Sequence, residues 1–142
     1  MFEVFEHTAD LGIRVRAPDR ETLLAEAARA LFSLLVVNLD AVRPVQERQI
    51  AVDGQDDGLL LFDWLSELLY LFETEHILLS QFVVRLEEQG LQAICRGEPV
   101  DRTRHELDHE VKAITYHGLT VRPQSGPPGS GGFWEAEVIV DI

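Results

Sequence analysis

Residues 6–12, EHTADLG, separate two short segments that each have the alternation of a β-strand. Residues 2–6 alternate apolar and charged side chains, and an alternation of the same kind follows in residues 12–17. A period of two is typical of a half-buried strand. The stretch therefore predicts a β-hairpin whose bend includes residues 8–10. It places Asp10 on the polar side, either in a functional site or in an ordinary turn.

Two amphipathic helices are predicted in the first half of the chain. Asp19 is expected to cap the first, which begins at Arg20 and ends near Val36, because leucine and alanine recur there at helical spacing. The second, from about Leu59 to Glu75, carries leucines and aromatic residues along one broad face. Each such side chain contributes about 1.5–3 kcal/mol when buried, so this helix should contribute most to the core.

The remaining patterned segments predict strands. They are a strand at 46–52, a hairpin of 78–87 and 91–96 that residues 97–99 end, a mixed run at 111–121, and a last strand at 134–142. Residues 123–132, rich in Pro, Gly and Ser, are expected to form a flexible loop. Strands and helices do not alternate in this order, which favours an α+β fold. We predict one domain, residues 1–142, with a mostly antiparallel sheet of about six to seven strands and two helices packed on one face.

The net charge limits the classes of partner. Twelve basic and 25 acidic side chains give a formal net charge of −13 at pH 7. Nucleic-acid binding needs cationic side chains that displace counterions from phosphates, and the few arginines here are diluted by acids. We therefore expect no direct nucleic-acid binding. An acidic surface suits cations or basic patches on other proteins.

The cysteine content and the first residues bear on the cellular compartment. The single Cys95 excludes an internal disulfide and a multi-thiolate metal site. Its apolar neighbours on a predicted strand indicate a buried, inert thiol. Residues 1–6, MFEVFE, contain neither a basic segment nor a long apolar run, so we expect no signal peptide and no membrane span. A cytoplasmic location is predicted.

The motifs of nucleophilic or nucleotide-dependent enzymes are absent from the sequence. No Gly-x-Ser-x-Gly elbow, Walker loop or dinucleotide fingerprint occurs. His105, Asp108 and His109 have i, i+3, i+4 spacing, so on a helix they would share one face and could hold zinc. That arrangement would suit a small metal-dependent hydrolase, and it also arises by chance in polar loops.

Acidic residues at two strand ends form a second candidate site, which we favour over the group at 105–109. Asp10 lies at the first hairpin, and Asp141 lies on the polar side of the last strand, followed by the main-chain carboxylate of Ile142. If the first and last strands are neighbours, as the termini of small domains often are, these oxygens converge. Carboxylates are typical ligands of hard cations such as Ca²⁺ or Mg²⁺. The pattern therefore permits a metal site formed by Asp10, Asp141 and Ile142.

Five motifs of the chain resemble those of the archease family. They are EHTADLG at 6–12, WLSELLY at 64–70, GEPVD at 97–101 with His105 after it, EVKAITYH at 110–117, and VDI at 140–142. The resemblance covers the whole chain, with the motifs in the right order. It departs from the family only in linkers, notably the loop at 123–132, whose role stays open.

The resemblance implies an accessory protein and not a free-standing enzyme. Archeases stimulate the RtcB-type RNA ligase, which joins tRNA halves and other RNAs with GTP. They promote guanylylation of the ligase's active-site histidine, allow multiple turnovers, and are described as widening its nucleotide choice. A rival function is a chaperone-like module for RNA-modifying enzymes such as a tRNA methyltransferase.

The resemblance also implies site residues. The family's metal site, described with calcium, uses the aspartate of the HTAD segment, the penultimate aspartate and the last residue, which are Asp10, Asp141 and Ile142 here. We expect a divalent cation, Ca²⁺ first, with Mg²⁺ or Mn²⁺ as alternatives. His7, Lys112 and His117 could line the same surface and contact the ligase, or they could be structural residues.

Overall fold

The elements follow one another without strict alternation of strand and helix. The computed structural model describes residues 1–7, 9–127 and 131–142. Its elements are β1 (Phe2–His7), β2 (Asp10–Ala17), α1 (Arg20–Leu35), β3 (Gln46–Asp53), α2 (Asp57–Glu75), β4 (Ile77–Glu87), β5 (Gly90–Pro99), β6 (Ala113–Ile114), β7 (Thr120–Gln124) and β8 (Phe133–Asp141). A 3-10 turn at Leu39–Ala41 lies between α1 and β3.

The strands form two antiparallel sheets. The first has the order β1-β2-β8-β6, with β7 also paired to β8, and the second has the order β3-β5-β4. The predicted α+β class, with antiparallel strands and two helices, is confirmed. The arrangement differs in two respects. Eight strands are described where about six to seven were expected, and they are divided between two sheets where one sheet was expected. Alternation along a strand determines which face is buried but does not determine which strand pairs with its edge.

Both helices begin after an aspartate that caps them. Asp19 accepts a hydrogen bond from the main-chain N–H of Thr22 at 2.7 Å, and Asp56 caps α2 in the same way. Both helices lie within two residues of their predicted bounds. Neither described helix combines the length and the apolar composition needed to cross a bilayer.

One apolar core joins both helices to both sheets. Helix α1 packs against β2 of the first sheet, β4 of the second, and α2. Trp64 on α2 is fully buried, and its indole N–H donates to the carbonyl oxygen of Leu24 at 2.9 Å, which ties the two helices together. Cys95 is buried as predicted, and burial raises the pKa of its thiol to about 12. The thiol is therefore not a nucleophile at neutral pH.

The predicted end of β5 is wrong. Residues 97–99 do not stop the strand, which continues to Pro99 and pairs with β4 as far as Ile77. A Cβ atom at Gly97 would overlap the carbonyl oxygen of Leu78 on β4. The glycine thus permits close approach of two backbones inside the sheet. The prediction had treated glycine and proline only as residues that end a strand.

The predicted strand at 111–121 is also wrong. Only β6 and β7 pair in this region, both with β8, and the chain turns between them at Gly118, whose φ is 65°. A left-handed backbone at that point interrupts a strand that hydrophobicity alone suggests is continuous. β7 includes the first two residues of the predicted 123–132 loop. Residues 128–130 of that loop, like Thr8 of the predicted hairpin bend, lie outside the described residues.

Candidate functional site

The first hairpin and the last strand lie side by side in the first sheet. β2 and β8 pair in antiparallel register as far as Leu11 opposite Val140, so Asp10 and Asp141 are the next positions on the two strands. On its other side, Asp141 is opposite Ala113 of β6. The structure therefore brings these two aspartates, which are far apart in sequence, to one end of the same sheet.

Asp10 and Asp141 share the outer face of this sheet, away from the core. The adjacent residues on both strands pack in or against the core, and successive side chains of a strand point to opposite faces. His7 pairs with Asp10 across the hairpin and so lies on the outer face too. Directly opposed side chains have Cβ atoms about 4.5–5.5 Å apart. We call Asp10, Asp141 and Ile142 the acidic tip.

Of the three residues predicted to contact a partner, His7 and His117 lie beside the acidic tip, and Lys112 is joined to it through its main chain. The rings of His7 and His117 meet edge to face, with centroids 5.8 Å apart. The Nδ1 atom of His7 is buried and has no hydrogen-bond partner among the residues that the structure describes. Lys112 donates its main-chain N–H to the carbonyl oxygen of Asp141 at 2.7 Å, and its side chain is exposed. His7 and His117 thus form a pair beside the tip, while Lys112 holds the strand end that carries Asp141.

The other carboxylates on the outer face are paired with arginines. Arg14 binds Glu3 at 2.6 Å and Glu137 at 2.7 Å, and Arg16 binds Glu135 at 2.7 Å. The hydrogen bonds to Glu3 and Glu137 raise the pKa of Arg14. Within the described part of the chain, neither aspartate of the acidic tip forms an ion pair. Uncompensated negative charge on this face is therefore concentrated at the tip.

Gly12 of the EHTADLG motif supports the hairpin below the tip. Gly12 pairs with Phe5, and a Cβ atom at Gly12 would overlap the Phe5 ring. The guanidinium carbon of Arg14 lies 4.9 Å from the centroid of the same ring. The ring is therefore held between a glycine backbone and a cation, an arrangement that stiffens β1 against β2. Residue types alone did not point to this role of Gly12.

The donor atoms of the acidic tip fit a hard divalent cation. Two carboxylates on neighbouring strands repel each other, and a cation relieves that repulsion. Carboxylate oxygens are the ligands that Ca²⁺ and Mg²⁺ take. Among the described residues, no group of three or more His, Cys, Asp or Glu side chains is placed to hold a metal. The acidic tip has two side-chain carboxylates, those of Asp10 and Asp141, so its assignment as a metal site stays a prediction.

The alternative zinc group at 105–109 is wrong. His105, Asp108 and His109 do not lie on a helix. His105 is buried, its Nδ1 accepts the main-chain N–H of Asp101 at 2.9 Å, and its Nε2 lies 3.0 Å from a carboxylate oxygen of Glu98. Both ring nitrogens are thus engaged and none is left for a metal. Asp108 and His109 are exposed on the surface instead.

Glu98 is the centre of a buried polar network that sequence reasoning missed. Its carboxylate accepts hydrogen bonds from the main-chain N–H of Arg43 at 2.7 Å, from the Arg104 guanidinium and from His105. Burial raises the pKa of Glu98, but these three hydrogen bonds outweigh burial and hold the pKa below its usual range. The network fastens the segment after β5 to the loop after α1, so it is a structural element.

Replacement of Glu98 by glutamine should lower the free energy of unfolding by about 2–4 kcal/mol near pH 7, because an amide cannot accept all three hydrogen bonds. A carboxylate whose pKa is depressed by folding stabilises the protein above its unfolded pKa, and that stabilisation is lost as the pH falls through the folded value. The urea-unfolding curves of the wild type and of Glu98→Gln should therefore differ most above about pH 4.5 and approach each other as the pH falls below it.

Glu47→Gln is the matched control. Glu47 forms an exposed ion pair with Arg96, and such pairs contribute at most about 1 kcal/mol. If Glu98→Gln were no more destabilising than Glu47→Gln at neutral pH, the buried network would not have the structural role assigned to it.

Solved structures with the same fold place the chain in a class of small α+β proteins. The solution structure of Methanobacterium thermoautotrophicum protein 1598 superposes with a TM-score of 0.82 at 34% identity, covering 99% of this chain and 98% of that one. The crystal structure of an archease from Thermotoga maritima, described as a possible chaperone, has a TM-score of 0.65 at 21% identity and covers 98% of that chain. At that identity the second likeness shows the fold alone.

Sequence comparison identifies the family. The sequence model of the Archease protein family (MTH1598/TM1083) matches residues 2–142. Protein archease of Methanopyrus kandleri is 43% identical over 145 residues, which cover 99% of each chain. Protein archease of Pyrococcus abyssi is 37% identical over 145 residues, covering 99% of this chain and 98% of that one. The chain belongs to the archease family.

Proposed function

We propose that this chain is an accessory activator of an RtcB-type RNA ligase in tRNA splicing, promoting guanylylation and multiple turnover of the ligase. Membership of the archease family supports an accessory role. The observation that carries the proposal is the meeting of Asp10 and Asp141 on the outer face, next to the pair formed by His7 and His117. Asp10 and Asp141 are also positions that the family resemblance implies for a metal site.

The acidic tip would hold a divalent cation, Ca²⁺ first and Mg²⁺ or Mn²⁺ as alternatives, through Asp10, Asp141 and the main-chain carboxylate of Ile142. A cation at such a site supplies positive charge that neutralises a phosphate during nucleotide transfer. The arginine pairs of the outer face leave the tip as its uncompensated acidic part, so a basic, phosphate-binding active site is attracted to this end of the sheet. His7, Lys112 and His117 would contact the ligase around the tip.

The net charge of −13 argues that the chain acts on the ligase and not on RNA. A surface of that charge repels phosphates unless basic residues gather on one face. On the outer face of the described part of the chain, Arg14 and Arg16 are already bound to glutamates, which leaves Arg122 of β7 as an isolated exposed arginine. RNA binding in the complex would therefore be left to the ligase.

A multiple-turnover ligation assay tests this function. The purified chain is added to an RtcB-type ligase with GTP and tRNA halves. Guanylylation of the ligase and the amount of joined tRNA are both measured over time. We expect substoichiometric product from the ligase alone and many turnovers when the chain is present. The chain without ligase should join nothing. Equal guanylylation and turnover with and without the chain would contradict the proposal.

A chaperone function is the second candidate, because the Thermotoga maritima structure with this fold is described as a possible chaperone. This function predicts that the chain suppresses aggregation of a client such as a tRNA methyltransferase on heating. Protection should then be the same for the wild-type chain and for Asp10→Asn. Light scattering of the heated client, with and without each chain, distinguishes this function from ligase activation.

A further inference from the structure

A cleft of about 1100 Å³ opens next to the acidic tip, between the C-terminal end of α2, the end of α1 and the segment 100–112. Apolar side chains packed on the core line it, among them Leu35, Phe72, Val100 and Leu107. Small-molecule pockets usually occupy about 300–1,000 Å³ and enclose their ligand. An open cleft at the upper end of that range is large enough for a segment of another protein.

The rim of the cleft is predominantly acidic. Four carboxylates line it, against the two cationic side chains of Arg102 and Lys112. Three of these carboxylates, on Glu73, Asp108 and Glu110, belong to exposed residues and form no ion pair with Arg or Lys in the described part of the chain. The apolar lining and the acidic rim of the cleft are together complementary to a segment that has apolar side chains between lysines or arginines.

His76 adds a second observation at the wall of the cleft. It ends α2 in the left-handed conformation, with φ 52° and ψ 42°, the single non-glycine residue with positive φ among the described residues. Its N–H donates to Phe72 and its carbonyl accepts from Val100, so both neighbours fix this backbone. Glycine is the usual residue in such a position. Histidine is strained there, while its side chain is exposed and lines the cleft.

The cleft and the acidic tip are joined through Lys112. Lys112 lines the cleft, and its main-chain N–H is bonded to the carbonyl oxygen of Asp141. We propose that the cleft is the docking site for a basic amphipathic segment of the ligase, which rests on the function proposed above. Docking in the cleft supplies affinity and orients the acidic tip towards the ligase active site, so affinity and stimulation belong to adjacent but separate surfaces.

Charge reversal on the rim separates these two roles. In Glu73→Lys we expect the Kd for the ligase, measured by biolayer interferometry, to rise about tenfold because a cationic segment is repelled. The maximal guanylylation rate at saturating chain should be unchanged. Glu67→Lys is the matched control, since Glu67 is exposed on the same helix but outside the cleft. The Kd of this variant for the ligase should stay within about twofold of the wild-type value.

His76→Gly tests whether the side chain at the wall of the cleft contributes to docking, and it should not destabilise the fold. Glycine adopts the left-handed conformation freely, so the melting temperature should be unchanged or higher. The Kd for the ligase should nevertheless rise, by roughly threefold or more, if the imidazole contacts the docked segment. A Kd equal to that of the wild type in both Glu73→Lys and His76→Gly, with wild-type stimulation intact, would overturn the cleft proposal and leave ligase activation standing.

Photo-crosslinking identifies the occupant. A benzophenone amino acid at position 73 should crosslink to one basic segment of the ligase, and the same group at position 67 should not. Crosslinks from position 73 to a second copy of this chain, or equal crosslinking from both positions, would contradict the proposal. A wild-type chain that neither binds nor stimulates the ligase would instead refute the proposed function itself.

Discussion

Replacement of Asp141 by asparagine should leave the fold intact and lower stimulation of the ligase by roughly tenfold or more, the effect typical of losing a group that a metal site needs. Asp141 is on the outer face, where no described side chain forms an ion pair with it, so removing its charge breaks no interaction within the chain. If anything, the apo chain becomes more stable, because the repulsion with Asp10 is relieved. Loss of function without loss of stability is the expected signature.

Glu137→Gln is the matched control for this experiment. Glu137 is on the same strand and the same face, but its carboxylate binds Arg14. Binding of Ca²⁺ to the isolated chain, measured by calorimetry, should be lost in Asp141→Asn and in Asp10→Asn, and kept in Glu137→Gln. The double variant at positions 10 and 141 should lose no more ligase stimulation than either single variant, because both aspartates belong to one site.

Unchanged calcium binding and wild-type stimulation in a folded Asp141→Asn would remove the metal site from the proposal. Calcium binding lost with stimulation retained would show that the tip binds a cation that activation does not need. The two readouts therefore test the metal and the function separately.

Gly97→Ala should be among the most destabilising single-methyl changes in the chain, lowering the free energy of unfolding by about 3–5 kcal/mol. The added Cβ would overlap the carbonyl oxygen of Leu78 and lie 2.7 Å from the Cα of Leu79. Both are backbone atoms, so no side-chain rotation relieves the overlap and β4 must move away from β5. Glu98 is the next residue, so its buried hydrogen bonds would be disturbed as well.

Gly58→Ala carries the same chemical change at a site without this constraint. Gly58 is in the first turn of α2, and an added Cβ would approach Asp56 Oδ1 only to 3.4 Å. Alanine in a helix is favoured over glycine by up to about 1 kcal/mol, so this variant should be neutral or more stable. Equal denaturant midpoints for the two variants would show that the close approach of β4 and β5 does not constrain Gly97.

The helices and most strands could be predicted from periodicity because apolar spacing is a local property. Asp19 could be identified as a cap for the same reason, since a cap bonds to residues within its own turn. The prediction of one strand at 111–121 was wrong because apolar residues continue across Gly118. Only the left-handed backbone at Gly118 reverses the chain there. Glu98 was missed because its partners lie on separate segments that no local pattern connects.

By itself, the sequence determined the α+β class, the bounds of the helices, the polar side on which Asp10 and Asp141 lie, and the family. Only the tertiary structure decided that the strands form two sheets, that β2 pairs with β8, that His105 is bound to Glu98, and that a cleft opens beside Lys112. The reason is that alternation and helical spacing are set by neighbours in the chain. Strand order, buried hydrogen bonds and clefts depend instead on which distant segments pack together, and many pairings satisfy one local pattern.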